Sequence, residues 1–551
     1  MTTPMASHTT DTILEGMDAA LLDGDQATAM RLAADALALG VEDTLVLLLV
    51  AQQRVGAGRV KEALVLLRKA SFLAPDEPEV WKRLANLLTS QEMHAEALAA
   101  LESALTLEPR SFETLVVAGA TSFRMGDLEA THSYYQRAAD LEPNQPELLA
   151  TLAIIAARRE DCGAARGLAA QALALEPNAI NGHMAIARAD LIEGDADSAA
   201  RRTTKLLARS DVGDESRIAA LDLRADVFDK LGQYSQAFAD YEARNEILAQ
   251  RYGPLMRQSE TERPIEYVRR LLAYFSETSA EPWARSASRD SLGSRTVRRH
   301  VFLVGFPRSG TTLLEKALAG HPEIVTLEEV DHLGVAGRHL LSSNAGLSGL
   351  ANLPAAAAET CRQTYWNAVR KTLGESLLGR VLVDKLPLHT PSLPLIAKLF
   401  PDAKILFALR DPRDVVFSCF RRRFRMNAAM FEFLKLTGAA QYYDKTMRLA
   451  NVYRQLLPLG IYRVRHEDVV ADFDGEIKKI LDFVGADWNP AVSDFSERAK
   501  AKRITPSDPQ LARGLNANGI GQWRNYQSQL SPVLGVLEPW AREFGYPAAR
   551  E

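Results

Sequence analysis

Several features that define common classes of protein are scarce in this sequence. Its 551 residues include three cysteines, at Cys162, Cys361 and Cys419, which are too few and too scattered for a disulfide framework or a structural zinc site. The longest apolar run falls far short of the ~18 residues that span a bilayer. The first dozen residues lack the basic and apolar regions of a signal peptide. These absences predict a protein with no membrane segment that resides in the cytoplasm.

Neither sign of charge dominates. The 65 basic and 70 acidic side chains leave a formal net charge of −5, so we expect no general affinity for nucleic acid, although a local basic pocket is compatible with this balance. Hydrophobic residues make up 47% and charged residues 25%, which are ordinary values for globular proteins and exclude wholesale disorder. At ~150 residues per domain, the length predicts a chain of several domains.

A repeat of constant period runs through the first half of the sequence. The phrases LAPDEP, LEPRSF, LEPNQP and LEPNAI place Pro75, Pro109, Pro143 and Pro177 at equal spacing, one period apart. Small residues recur with the same period as three series: Ala51, Ala85, Gly119, Ala153 and Ala187; Ala29, Ala63, Ala97, Ala165 and Ala199, which Thr131 interrupts; and Ala36, Ala70, Ala104, Ala138 and Ala172. Small side chains let two antiparallel helices approach closely, and a proline ends each hairpin. The pattern therefore predicts an α-solenoid of helical hairpins.

This pattern resembles the tetratricopeptide repeat in its small residues and in its period, which is about 34 residues in that repeat. We expect about seven units over residues 10–250, followed by a helical extension and polar linker over 251–299. The stretch 276–299 is rich in Ser, Thr and Arg and has no periodicity, which is typical of loops. The repeat array implies a concave groove that binds a protein or peptide partner, and a dimerisation or spacer scaffold is the alternative.

The remaining part of the chain, 300–551, has the pattern of an α/β domain. Apolar runs typical of strands lie at 301–304, 381–383, 405–409 and 461–464. Helical patterns of ten or more residues separate these runs. Such alternation predicts a parallel sheet with helices on its faces.

The segment VFLVGFPRSGTTLLEKALAGHP at 301–322 predicts a strand, a tight loop and a helix. Gly305 and Gly310 give the loop the freedom to point successive N–H groups inward, and the helix N-terminus adds positive potential. Hydroxyl and guanidinium side chains add further donors to this P-loop-like cradle for an anion. The candidate anion-binding residues are Arg308, Ser309, Gly310, Thr311 and Thr312.

One position separates this loop from that of the P-loop nucleotidases. Thr311 stands where they carry the lysine that reaches the terminal phosphates beside a magnesium ion. PRSGTT instead resembles the 5′-phosphosulfate-binding loop of sulfotransferases. It looks closer to their tyrosylprotein and carbohydrate branches than to the cytosolic small-molecule branch, which has lysine where this sequence has Arg308. The resemblance implies 3′-phosphoadenosine 5′-phosphosulfate as co-substrate and no metal ion.

A second basic segment follows the predicted strand at 403–410. Arg410 stands at the carboxyl edge of this strand, where open parallel sheets bind ligands. Ser418 and Arg422 are four residues apart, so we expect them on one face of the following helix. The three residues match the 3′-phosphate-binding segment of sulfotransferases in type and spacing, which implies the same role here.

Two residues are candidates for catalysis at the acceptor. The resemblance to the tyrosylprotein branch implies that Glu329 is the general base that removes the acceptor proton. It also implies that Lys385, together with Arg308, stabilises the charge on the leaving phosphate. If the base lies elsewhere, His332 and His321 are the next candidates, because histidine titrates close to neutrality.

Other positions match the family less closely or depart from it. Ser507 and Arg524 resemble residues of a C-terminal segment that closes over the 3′-phosphate, whereas His466 stands where the family has an adenosine-contacting tyrosine. The tyrosylprotein branch carries arginines that bind acidic peptides where this sequence has Asp331 and Val335. The acceptor therefore stays open between a protein tyrosine, a glycan and a small-molecule hydroxyl.

These patterns predict a sulfotransferase that acts on a hydroxyl acceptor, and the repeats favour an acceptor on a bound protein. A metal-dependent P-loop kinase or nucleotidase is the first alternative. It is kept open by VLVD at 381–384, which resembles a strand that ends in a magnesium-binding aspartate. A non-catalytic repeat scaffold is the second alternative. Incubation with the phosphosulfate donor or with ATP and magnesium would separate the enzyme classes.

Overall fold

The structure is a computed structural model that describes residues 4–258, 262–283, 296–501, 514–515 and 517–549. The chain divides into two compact units, Met1–Val212 and Gly213–Glu551. Within the residues that the structure describes, no helix is both long enough and apolar enough to cross a membrane.

The first unit consists of antiparallel helical hairpins that pack in chain order. Its described helices are α1 (Pro4–Leu22), α2 (Gln26–Ala38), α3 (Thr44–Gly56), α4 (Val60–Leu73), α5 (Pro78–Ser90), α6 (His94–Leu107), α7 (Phe112–Met125), α8 (Leu128–Leu141), α9 (Pro146–Arg158), α10 (Cys162–Leu175), α11 (Ile180–Glu193) and α12 (Ala196–Leu207). Helices α3, α5, α7, α9 and α11 begin at equal spacing, with the same period as the prolines. The period of the sequence is therefore the period of the hairpins, and the predicted helical repeats are confirmed.

Small buried residues allow the two helices of each hairpin to pack closely. The alanines of the three series are buried. Gly119 replaces alanine in one series because Tyr135 of α8 occupies the space, so that a Cβ atom on Gly119 would lie 2.5 Å from the tyrosine ring. Asp127, Asp161 and Asp195, which also follow one another by one period, each accept a hydrogen bond from the backbone N–H three residues later. These caps start the second helix of each hairpin.

The second unit begins with a further hairpin in the same register. Helix α13 (Asp214–Lys230) starts one period after α11, and α14 (Tyr234–Gln258) and α15 (Pro264–Ser276) follow. Phe238 and Leu271 of these helices lie in the same hydrophobic core as the sheet of this unit. The repeat pattern thus continues in sequence past the end of the first compact unit, while the boundaries at 250 and 299 stay predictions.

A parallel sheet lies at the centre of the second unit. Its described strands are β1 (Arg299–Val304), β2 (Ile324–Glu328), β3 (Val381–Lys385), β4 (Lys404–Leu409) and β5 (Gly460–Arg465). They pair in the order β2-β3-β1-β4-β5, with every pairing parallel. This confirms the predicted α/β class. The sequence pattern missed β2, because IVTLE is a five-residue segment of mixed polarity without a clear period.

Helices cover the sheet and connect its strands. The described ones are α16 (Thr311–Leu318), α17 (His332–Gly337), α18 (Asn344–Ala351), α19 (Ala355–Leu373), α20 (Leu393–Leu399), α21 (Pro412–Arg421), α22 (Ala428–Phe431), α23 (Leu436–Leu456), α24 (His466–Ala471), α25 (Phe473–Val484), α26 (Phe495–Ala501) and α27 (Gln527–Glu543). Because β1 is flanked by β3 and β4, the segments that follow these three strands meet at one edge of the sheet. Ligands of open α/β sheets bind at such an edge.

Candidate functional site

The loop 305–310 between β1 and α16 is shaped by close backbone contacts. A Cβ atom on Gly305 would lie 2.7 Å from the Ala408 carbonyl oxygen of β4. Gly310 has a φ of 92° and lies against the His466 ring, which a Cβ atom would approach to 2.7 Å. Arg308 has a positive φ of 71°, which is uncommon for a residue with a side chain. The loop therefore turns tightly at the N-terminus of α16, as an anion cradle requires.

Side chains from α21 and its flanking residues meet this loop. The Nε atom of Arg308 donates to Ser418 Oγ at 3.0 Å, and Nη1 of Arg410 donates to the Arg308 carbonyl oxygen at 3.1 Å. Burial, together with the positive charges of Arg422 and Arg410, lowers the pKa of Arg308 to about 9. The Nε atoms of Arg410 and Arg422 are buried and have no hydrogen-bond partner within the described part of the chain. The structure thus brings together four of the predicted donor-binding residues.

One detail of the prediction for this segment is wrong. Ser418 lies within α21, but that helix ends at Arg421, and Arg422 follows in an extended conformation with φ −97° and ψ 140°. The two residues therefore do not share one helix face. Arg422 nevertheless lies near enough to Arg308 for its charge to lower the pKa of that guanidinium.

The C-terminal segment reaches this basic cluster through its backbone. Arg410 donates to the Gly519 carbonyl oxygen, and the Asp414 carboxylate accepts two backbone N–H groups of the same segment at 2.6 and 2.9 Å. Arg524 is exposed, and its guanidinium lies over the neighbouring tryptophan ring at 5.1 Å. The other candidate of this segment, Ser507, lies outside the described residues.

Glu329 and Lys385 form an ion pair at the carboxyl ends of β2 and β3. The Lys385 Nζ atom donates to Glu329 Oε1 at 2.8 Å. The lysine side chain is completely buried, whereas 43% of the glutamate side chain is exposed. Glu329 also has a positive φ of 54°, and such strained backbone persists only where the surrounding structure holds it. The two predicted catalytic residues are therefore in direct contact.

Glu328, the neighbour of the predicted base, has a different environment. Its carboxylate lies 3.2 Å from the Lys316 ammonium of α16 and 3.9 Å from that of Lys385. Burial and the charge of Glu328 raise the pKa of Glu315 on α16. The Glu315 carboxylate also accepts a hydrogen bond from the Thr326 hydroxyl of β2 at 2.7 Å. Glu328 thus belongs to a buried charge network that joins α16 to the sheet, while Glu329 faces outward.

A pocket lies between the loop and the ion pair. Its polar lining consists of Arg308, Gly310, Thr311, Thr312 and Glu329, and the rest is apolar: Pro307, Leu386, Pro387, Leu388, Phe424 and Met430. Ser309 is buried next to this lining. Pro307 belongs to the predicted loop, but the other apolar residues were not predicted, because they follow β3 and α21 in the chain and form no motif. The predicted base thus lies at the wall of a pocket that also contains the loop residues.

The residues that the sequence analysis named as an alternative magnesium ligand or alternative base are hydrogen-bonded to groups outside this pocket. Asp384 is buried in β3 and accepts a hydrogen bond from the Tyr365 hydroxyl at 2.8 Å, and burial raises its pKa. His321 Nε2 lies 2.8 Å from the Asp487 carbonyl oxygen, and His332 Nε2 lies 3.0 Å from a threonine hydroxyl of α19. Among the residues that the structure describes, no cluster of histidine, cysteine and carboxylate side chains suits a metal ion.

The second unit is thus an α/β domain with a tight loop and a cluster of arginines at the carboxyl end of its central strand. Residues 300–490 match the model of the Sulfotransferase family. The resemblance to sulfotransferases that the phosphate-binding motifs predicted is confirmed for this part of the chain.

Curated relatives match a little less than half of this chain. Protein-tyrosine sulfotransferase 2 of Gallus gallus is 25% identical over 273 residues, covering 45% of this chain and 72% of that protein. The protein-tyrosine sulfotransferase of Drosophila melanogaster is 25% identical over 276 residues, covering 45% of this chain and 54% of that protein. An uncharacterized protein of Aquifex aeolicus strain VF5 is 24% identical over 256 residues, covering 44% of this chain and 32% of that protein. The chain therefore spans about a third of one relative and roughly half or more of the others.

Solved repeat proteins resemble the helical hairpins only distantly. A tetratricopeptide repeat protein from Parabacteroides merdae ATCC 43184 has a TM-score of 0.34 and 15% identity, covering 44% of this chain and 93% of that one. YrrB, described as a tetratricopeptide repeat protein with an unusual peptide-binding site, has a TM-score of 0.29 and 17% identity, covering 36% and 95%. Likeness of this extent carries no argument about function, and the repeat fold rests on the hairpins themselves.

Proposed function

We propose that the second unit transfers a sulfuryl group from 3′-phosphoadenosine 5′-phosphosulfate to the hydroxyl of an acceptor. The observation that carries this proposal is the cluster of Arg308, Arg410 and Arg422 around the loop 305–310. Cations held together in a largely buried place repel one another, and a ligand with two phosphate-type groups relieves that repulsion. The family match over 300–490 and the protein-tyrosine sulfotransferase relatives support this reaction class.

The donors available at the cradle fit such a ligand. The buried Nε atoms of Arg410 and Arg422 lack a hydrogen-bond partner in the described residues, and buried N–H groups of this kind are costly unless a ligand satisfies them. We assign the 3′-phosphate to these two arginines and Ser418. We assign the 5′-phosphosulfate to the loop amides with the hydroxyls of Thr311 and Thr312, which lie at the start of α16.

We assign removal of the acceptor proton to Glu329. Its carboxylate lines the pocket beside the loop, so it lies within reach of a hydroxyl bound there. As that proton moves to Glu329, the acceptor oxygen bonds to sulfur and the bond from sulfur to the bridging phosphate oxygen breaks. Lys385 and Arg308 stabilise the charge that the leaving phosphate acquires. Lys385 also holds the Glu329 carboxylate at 2.8 Å, so one ammonium group orients the base and stabilises the leaving group.

The apolar lining of the pocket favours a hydroxyl carried by an aromatic or aliphatic group. Leu386, Phe424 and Met430 offer no hydrogen bonds to the neighbouring hydroxyls of a sugar, and burying those hydroxyls unpaired is costly. Where the tyrosylprotein branch has an arginine that binds acidic peptides, this chain has Asp331, whose carboxylate is paired with Arg338 at 2.5 Å. A carboxylate at this position does not attract an acidic peptide. We therefore propose that the acceptor hydroxyl is carried by an aromatic or aliphatic group, and we expect the repeats to bind the protein or peptide that carries it.

A transfer assay tests this function directly. Purified full-length protein is incubated with the labelled phosphosulfate donor and a simple phenol, and we expect label on the phenol and little on a matched monosaccharide. Because the proposed chemistry uses side-chain cations, EDTA should leave the rate unchanged. Label transfer from ATP with magnesium, or a large loss of sulfuryl transfer with EDTA, would instead support the metal-dependent kinase alternative.

Donor binding should depend on the second phosphate. We expect 3′-phosphoadenosine 5′-phosphate to raise the melting temperature clearly and adenosine 5′-phosphate to raise it little, because a ligand stabilises the folded state more strongly the more tightly it binds. Arg410→Ala should remove most of the difference between the two nucleotides. Arg448→Ala is the control, since that exposed arginine is paired with Asp444 on α23. Equal shifts with both nucleotides in the unaltered protein would contradict the assignment of the 3′-phosphate.

A further inference from the structure

Helix α21, which carries Ser418, ends where its sequence gives no signal to stop. The chain continues from Arg421 as Arg-Arg-Phe-Arg, without the glycine or proline that commonly ends a helix, and arginine is a good helix former. Nevertheless α21 ends at Arg421, and the backbone of Arg422 is extended. The last carbonyl groups of a helix need partners from outside the helix. The groups that bind the last carbonyl oxygens of α21 can therefore explain why this helix ends at Arg421.

Two residues of helix α14 bind these carbonyl groups. Arg244 donates from Nη1 to the Arg421 carbonyl oxygen at 3.0 Å and from Nη2 to that of Phe420 at 3.2 Å. The amide of Asn245 donates to the same Phe420 oxygen at 3.0 Å. Arg244 is completely buried and Asn245 is 3% exposed. A buried cation at the C-terminus of a helix also interacts favourably with the helix dipole.

The two capping residues are themselves held in place. The Asn245 Oδ1 atom accepts from Nε of Arg244 at 3.1 Å and from its Nη2 at 2.9 Å, and Arg244 is paired with Asp222 of α13. The ring of Phe238, earlier on α14, stacks on Phe420 at 5.0 Å. The hairpin of α13 and α14 therefore fixes the end of α21 by hydrogen bonds, charge and apolar packing together.

The end of α21 decides where Arg422 lies. If the helix continued through Arg422, the helical backbone would direct this side chain elsewhere, because each helical residue turns about 100° from the last. In the structure the Nε atom of Arg422 is buried, and the positive charge of this residue contributes to the lowered pKa of Arg308. Burial alone would lower the pKa of Arg422, but negative charge on α13, chiefly that of Asp226, raises it. The hairpin of α13 and α14 therefore ends the helix and also attracts the side chain that follows it.

We propose that Arg244 and Asn245 are positioning residues for the 3′-phosphate of the donor. They act through α21, because they hold its last carbonyl groups and so place Ser418 and Arg422 around Arg308. This inference rests on the proposed function, since it names what holds the donor site of the same reaction. A helical hairpin that follows the repeat register is, on this view, part of the nucleotide-binding apparatus.

The test compares two nucleotides in the full-length protein. Asn245→Leu keeps the size of the side chain but removes both its hydrogen bond to Phe420 and the Oδ1 atom that accepts from Arg244. We expect the affinity for 3′-phosphoadenosine 5′-phosphate to fall by about tenfold or more, as for the loss of buried hydrogen bonds. The affinity for adenosine 5′-phosphate, which uses the loop 305–310, should stay unchanged. General damage to the fold would weaken both nucleotides alike, so the ratio of the two dissociation constants is the decisive readout.

A second variant and a control complete the experiment. Arg244→Lys keeps a cation for Asp222 but cannot bond two carbonyl groups with the fork of a guanidinium, so the same selective loss is expected even if Asn245→Leu does not fold. Gln250→Ala, on the exposed side of α14 and bonded to Glu246, should change neither affinity. Turnover at saturating phosphosulfate donor should stay close to that of the unaltered protein in both capping variants. We expect these variants to raise the KM for the phosphosulfate donor and not to slow the transfer step.

Different failures have different meanings. If the unaltered protein prefers the bisphosphate and both capping variants retain that preference, the positioning role is overturned while the proposed function stands. A parallel loss of both affinities likewise overturns it, because it shows a structural role only. If the unaltered protein does not distinguish the two nucleotides, the proposed donor itself fails and the positioning role fails with it.

Discussion

Glu329→Gln should lower turnover by about 10²–10⁴-fold, the range that general-base catalysis contributes. The amide keeps the shape of the carboxylate and its contact with Lys385, but it cannot take up the acceptor proton. The dissociation constant for 3′-phosphoadenosine 5′-phosphate should barely change, since the side chain lines the acceptor pocket at the end of β2 rather than the basic cluster. Turnover and nucleotide affinity measured on the same preparation check both parts of this expectation.

The structure indicates which glutamate is a fair control. Glu328 is unsuitable, because its carboxylate lies between Lys316 and Lys385 and its loss would disturb Lys385. Glu323 is better: it precedes β2 and forms an exposed pair with Arg298. Glu323→Gln should stay within a few-fold of the unaltered protein. A loss of similar size in Glu323→Gln and Glu329→Gln, or a Glu329→Gln variant that mainly loses nucleotide affinity, would place the base elsewhere.

Arg308→Met should have opposite effects on catalysis and on stability. Removing one group that stabilises developing charge typically costs about 10²–10³-fold in turnover, and we expect a loss of that size. Burial and neighbouring charges lower the pKa of Arg308 to about 9, so its charge is less stable in the folded than in the unfolded chain. At any pH below about 9 that charge therefore opposes folding, and the melting temperature without nucleotide should stay the same or rise in the variant.

Arg413 provides the matched comparison for this arginine. It is completely buried near the start of α21, and its guanidinium is paired with Asp411 at 2.7 Å and with Glu538 at 2.8 Å. Breaking a buried pair by removing one partner costs about 3–5 kcal/mol. Arg413→Met should therefore lower the melting temperature. If Arg308→Met destabilises the protein as strongly as Arg413→Met does, the arginine cluster is a structural feature and not a ligand site.

Long-range regularity was the part of this fold that the sequence revealed best. The period of the prolines and alanines equals the spacing of the helix starts from Thr44 onward, since every hairpin repeats the same packing problem. The strand, loop and helix around Gly305 and Gly310 were equally predictable, because few sequences satisfy that turn. β2 was missed because a five-residue strand of mixed polarity has no distinctive period.

The remaining parts of the site depend on contacts between distant segments. Glu329 and Lys385 are 56 positions apart, and their pairing follows from the parallel register of β2 and β3, which no local pattern encodes. Phe424 lies in the irregular stretch after α21 and Met430 in the four-residue helix α22, and the sequence does not predict where such short segments place their side chains. The early end of α21 was unpredictable for the same reason, because Arg244 stops it from 177 positions away.

Recombinant work on the second unit is constrained by the core that α13, α14 and α15 share with the sheet. The apolar faces of Phe238, Tyr241, Leu271 and Phe275 lie in that core. A fragment that starts at residue 300, where the family match begins, would leave the surfaces they cover open to water, and large exposed apolar patches promote aggregation. We therefore expect a fragment for recombinant work to need a start near Gly213, where the second compact unit begins. This start lies one full hairpin and one helix before the first strand.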